Sequence, residues 1–169
     1  LWAPSVSSDL KNQGDGAAYW AAYGGLRGLL RSPYLFAACG ASWALAPLWK
    51  HPSWVDTGIS VLPNLLGFSV GAVAIILAAP SMKTFRILAE DGEADSYFMD
   101  LAARLVHFIL VQVVALAAMF LVEAYPTKAL SLLAFVLFAY ALSSAVSAGL
   151  ALFGIARILN SAAKFSDPG

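Results

Sequence analysis

The feature that most constrains this chain is an apolar run around Pro63–Ala79, PNLLGFSVGAVAIILAA, without a charged residue. It is too long and too uncharged for an ordinary soluble core, and its length approaches what a bilayer-crossing helix requires. It also carries a seam. Steps of three and four from Asn64 reach Gly67, Gly71, Ala74 and Ala78, small residues on one helical face. Gly67 and Gly71 form a GxxxG pair, which lets a second backbone approach closely. Asn64 at the head of that seam needs hydrogen-bond partners that lipid does not supply. The face is therefore expected to be buried against protein.

Composition agrees: 60% of the residues are hydrophobic and 12% charged, with a mean hydropathy of +0.76. Soluble domains carry about 25% charged residues, so the deficit points to lipid as solvent. The ten basic and ten acidic residues balance, and with no basic tract no nucleic-acid partner is expected. Cys39 is the single cysteine, which excludes an intrachain disulfide. The chain opens at Leu1 rather than Met, which leaves room for a piece upstream. Asp9, Lys11 and Asp15 interrupt any signal-peptide core near that end.

Taken in order, the chain reads as an all-α integral membrane protein with four transmembrane helices in a bundle, preceded by a short interfacial amphipathic segment. Residues 1–32 form a cytoplasmic N-terminal arm and that segment. Its Tyr19, Trp20, Tyr23, Arg27 and Arg31 suit the headgroup region, while Gly24, Gly25 and Gly28 argue against a rigid helix. The bundle covers 33–159, with spans at about 33–49, 58–80, 101–122 and 129–156. Ser32 and Pro33 make a helix start. Trp54 and Tyr125 are expected as interface anchors, Pro63 as a kink beside Asn64, and Pro126 as the breaker of an outer turn. The fourth span exceeds what the hydrocarbon thickness needs, so it tilts or projects. A cytoplasmic acidic loop occupies 81–100 and a cytoplasmic tail 160–169.

Orientation follows from the basic residues. Lys11, Arg27, Arg31, Lys83, Arg86, Arg104, Arg157 and Lys164 share one side of this topology, against Lys50 and Lys128 on the other. That bias puts both termini in the cytoplasm. In size and build the chain resembles small four-span membrane effectors and sensors of bacteria, a similarity of architecture carried by no motif, which implies a bacterial inner membrane.

Three constellations carry chemistry. Asp100, Arg104 and His107 share a face at the cytoplasmic end of the third span. They read as an Asp–Arg pair with a hydrogen-bonded histidine one turn deeper, or as a proton relay. Asn64, Gln112, Ser143, Ser144 and Ser147 are polar groups at membrane depth, for packing or for a pore. An Asn64–Gln112 or Gln112–Ser143 bond is the packing expectation. Ala145 and Gly149, with Ala141, make a second small-residue row in the fourth span. The acidic group Glu90–Asp95 lacks the EF-hand spacing and reads, with the N-terminal arm, as a docking surface for another membrane or cytoplasmic protein.

No GxSxG, HExxH, P-loop or GxGxxG motif occurs, and His51 and His107 fall on opposite sides of the expected topology. No catalysis, metal or cofactor is expected. The sequence favours a small homo-oligomeric membrane protein, in which any ion channel or pore exists only in the assembly. The alternative is a non-catalytic accessory or sensor subunit of a larger membrane complex.

Overall fold

A computed structural model describes residues 14–51, 53–78 and 96–164. Among these residues every regular element is helical. Seven helices follow in order: α1 Asp15–Tyr23, α2 Gly25–Leu30, α3 Pro33–Ala44, α4 Ala46–Trp49, α5 Trp54–Ala78, α6 Tyr97–Ala124 and α7 Lys128–Lys164. The acidic loop, including Glu90–Asp95, lies outside the described residues, as do the extreme termini.

The centre is the α6–α7 hairpin. Pro126 stops α6, and Thr127 caps α7: its hydroxyl accepts the Leu130 N–H at 3.3 Å and its carbonyl the Ser131 N–H at 2.9 Å. Because the connection is three residues long, the two helices run back antiparallel. Against this pair α3 packs on α7, while α5 and α1 pack on α6. Ala38, Ala115, Ala134 and Ala141 are fully buried in the core, so the helices approach closely, with Leu62, Met119 and Phe135 filling the space between. Gly58 brings α5 in: a Cβ there would lie 2.6 Å from the Met119 sulfur.

Among the described residues two helical stretches are long and apolar enough to cross a membrane, Tyr97–Ala124 and Lys128–Gly154. The four-span expectation is corrected at 33–49. That run divides into a 12-residue helix and a 4-residue one, and twelve residues reach only about 18 Å. The cause is Pro47, which has no N–H for the Trp43 carbonyl and whose ring crowds that same carbonyl. Leu45 sits at the break with φ −95° and ψ 25°.

Helix α5 starts at Trp54, before the expected 58, and runs 25 residues with Pro63 inside it. Its side chains at 72 and 75–78 lie outside the described ones, and it is not counted among these two stretches. Helix α7 continues to Lys164, 37 residues in all. Trp54 is no interface anchor. Its indole is buried, donates to the Ser131 hydroxyl at 3.0 Å, and meets Phe135 edge-on with centroids 5.0 Å apart. Ser131 in turn donates to the Trp49 carbonyl, which ties the α4–α5 connection to the start of α7. Tyr125 is exposed.

Candidate functional site at His107

Between α1 and α2 the chain turns through Gly24 and Gly25, whose φ values are +90° and +61°. Two consecutive left-handed residues favour glycine, and they free α1 to lie across α6. Tyr19 and Tyr23, one helical turn apart on α1, both reach His107 of α6. The Tyr19 hydroxyl lies 2.8 Å from His107 Nδ1. The Tyr23 ring stacks on the imidazole, with centroids 3.8 Å apart and planes 15° apart. On the other side the Tyr140 hydroxyl of α7 lies 2.8 Å from Nε2 and 3.3 Å from the Tyr23 hydroxyl.

The result is one imidazole, 7% exposed, held by three tyrosines from two other helices. A neutral imidazole has one N–H donor and one acceptor nitrogen, and a phenol can serve either, so both ring nitrogens are satisfied. Burial raises the Tyr19 phenol above its ordinary pKa, and the neighbouring Tyr23 adds to the shift. Tyr19 therefore stays a neutral partner. The arrangement is a clamp that fastens α1 to the α6–α7 hairpin.

The other charged members of this face stand apart from it. Arg104 pairs with Asp100 at 2.9 Å, each side chain about half exposed. That pair lines a half-open cleft of about 230 Å³ together with Tyr34, Tyr97, Ser147 and Leu150. His107 is not among the lining residues.

The polar side chains do not pair as the sequence suggested. Gln112, 1% exposed, donates to the Ser69 hydroxyl of α5 at 3.1 Å and to the Phe108 carbonyl at 3.2 Å. Ser69 in turn donates a hydrogen bond to the Leu65 carbonyl at 2.6 Å. Asn64 is exposed and donates to the Ser60 carbonyl at 2.8 Å, next to the ladder position that Pro63 disrupts. Ser144 is buried and donates to the Ala141 carbonyl at 2.9 Å. Ser143 and Ser147 are half-buried.

Gly67, Gly71 and Ala74 are exposed, and the space a Cβ would take at either glycine is open. The seam thus faces away from the other described residues rather than into them. The side chain of Ala78 lies outside the described ones. In the second row Ala141 is buried, Ala145 half-buried and Gly149 exposed. Among the described residues no three His, Cys, Asp or Glu side chains gather to hold a metal ion.

The sequence reading missed Tyr19, Tyr23 and Tyr140 as partners of His107, and Ser69 as the partner of Gln112. The available signal was the i, i+4 spacing of Tyr19 and Tyr23, together with a lone tyrosine in an otherwise apolar helix.

The Gln112 carbonyl oxygen is buried and has no hydrogen-bond partner among the described residues, and an orphaned polar group of this kind is destabilising. Gln112→Leu, close in volume, is therefore expected to hold or raise the thermal midpoint in detergent. Gln112→Glu should lower it, because a buried carboxylate costs more than an amide. A clear loss of stability in Gln112→Leu would show that the Ser69 bond outweighs the orphaned oxygen.

No protein-family model, curated protein or solved structure matches the chain.

Proposed function

We propose that the chain is a small, non-catalytic integral membrane protein that self-associates through the open face of α5. One observation carries this reading: Gly67 and Gly71 sit inside a helix with none of the described residues over them, while buried Leu62 and Ser69 on the same helix pack inward. In lipid, small-xxx-small faces bring helices together by close backbone packing. The membrane setting is supported by the two apolar stretches and by large apolar side chains left outward on every long helix, Phe68, Val114, Phe120, Leu133 and Phe153 among them. With spans at α6 and α7, Tyr97 and Arg104 lie at one membrane surface and Tyr125 and Lys128 at the other.

Conduction is the weaker form of this reading. A pore needs polar groups turned toward an axis, whereas Gln112 and Ser144 are spent on bonds inside the chain. Asn64 alone of the membrane-depth polar set is exposed on the α5 seam. A second reading is an accessory subunit whose α5 face meets a helix of a larger membrane protein. The same open face supports it.

The test is oligomeric mass in lipid nanodiscs, together with crosslinking of Gly71→Cys in a Cys39→Ala background. A multimer that crosslinks at residue 71, and that Gly67→Leu with Gly71→Leu reduces to monomer, is expected. An unchanged mass in the double leucine variant would sink the assignment of this face. Copurification of a larger protein at fixed stoichiometry would move the accessory reading to first place.

A further inference from the structure

We propose that the cleft between α3, α6 and α7 binds the headgroup of an aminophospholipid, an ammonium and a phosphate joined by a short linker. The inference rests on the membrane reading. The cleft is half open, about 230 Å³ in volume, and is built from three helices. Arg104 offers a guanidinium and Asp100 a carboxylate, 2.9 Å apart and each about half exposed. Tyr34, Tyr97 and Ser147 line the same walls, and Leu101, Leu150 and Ala151 complete the lining.

Charge of both signs in one small cleft selects a zwitterion. An anion alone would meet Asp100, and a cation alone would meet Arg104. The phosphate oxygens of an aminophospholipid accept hydrogen bonds from Arg104, whose planar fork suits them. Its primary ammonium donates to Asp100. A quaternary ammonium has no N–H to give, so a choline headgroup forfeits that bond.

The apolar surroundings favour a lipid over a free zwitterion of the same chemistry. Leu150 lines the cleft and is exposed, and Val146 and Leu142 follow it at steps of four along α7, also exposed. Steps of four lie on one helical face, so this stripe leads about 12 Å from the cleft toward the hairpin turn. An acyl chain attached to a headgroup in the cleft lies along it. The level also fits: Tyr97–Arg104 opens the α6 stretch that is apolar enough to span, which is where headgroups sit.

The experiment is native mass spectrometry of the full chain released from nanodiscs of defined composition, containing phosphatidylethanolamine, phosphatidylcholine and phosphatidylglycerol. Free phosphoethanolamine serves as competitor. Phosphatidylethanolamine is expected to be retained about tenfold over the other two, the scale of one charge-assisted hydrogen bond. Asp100→Asn and Arg104→Gln should each abolish that preference at unchanged helicity. Should either variant fail to fold, Tyr34→Phe with Ser147→Ala leaves both charges in place and should still reduce retention severalfold.

A chain that does not enter nanodiscs overturns the membrane reading itself. A chain that enters them and retains all three lipids equally overturns the site alone. Preference for phosphatidylglycerol would reduce the cleft to a phosphate contact at Arg104 and overturn the zwitterion assignment. Displacement by free phosphoethanolamine as effective as by lipid would overturn the assignment to a lipid.

Discussion

Replacing His107 by alanine is expected to release α1 from the hairpin and to cost about 2–4 kcal/mol of stability. Two hydrogen bonds of 2.8 Å are lost at once, and with them the stacked contact to Tyr23. The Tyr140 hydroxyl remains in a side chain only 3% exposed, keeping the Tyr23 hydroxyl at 3.3 Å and the Ser32 side chain as partners, so the loss falls mainly on α1. Hydrogen exchange in lipid nanodiscs reads the result directly. The α1 amides should exchange like those of an unstructured peptide, while α6 and α7 stay protected. Tyr19→Phe removes one of the two bonds and should give a smaller effect in the same segment. If α1 remains protected in His107→Ala, its docking depends on contacts other than the clamp.

Trp54→Ala is the second large effect, expected at about 3–5 kcal/mol, the range for an aromatic side chain removed from a core. Its ring packs edge-on against Phe135, and its N–H secures Ser131, which in turn secures the Trp49 carbonyl. One substitution therefore opens a cavity and loosens the junction where α4, α5 and α7 meet. Trp54→Phe should keep most of the packing and lose the bond to Ser131, about 1 kcal/mol. Trp43 supplies the contrast. It is 84% exposed, so Trp43→Ala should stay within about 0.5 kcal/mol. Thermal midpoints of the three variants in one detergent check the ordering, and equal losses at Trp54 and Trp43 would contradict the core assignment.

The α6–α7 hairpin was the most legible part of the chain. Long apolar runs separated by Glu123–Lys128, with Pro126 inside, allow little else. At 33–49 the run is apolar, but whether its backbone can stay helical is a separate question. Pro47 answers that question within the sequence itself. Pro63 shows why proline alone does not decide: α5 stays continuous through it, and Asn64 donates to the Ser60 carbonyl one turn back.

Position along a helix does not by itself settle a partner, because pairing depends on which face each residue occupies. Ser69 follows Asn64 by five residues, about 140° around the helix. Ser69 therefore faces α6 while Asn64 faces out. The clamp was the least legible feature. Its two bonds join residues 88 and 33 positions apart, and no local pattern records which of several tyrosines an imidazole will meet.

The unequal lengths of the two central helices have a mechanical consequence. Helix α7 is 37 residues and α6 is 28, and both are joined at the three-residue turn. The far end of α7 therefore overhangs its partner by about 13 Å. The shared length is packed, with Ala148 in one cluster with Leu101 and Leu105. Bending is therefore confined to the overhang, where about 10° moves the tip by roughly 2 Å.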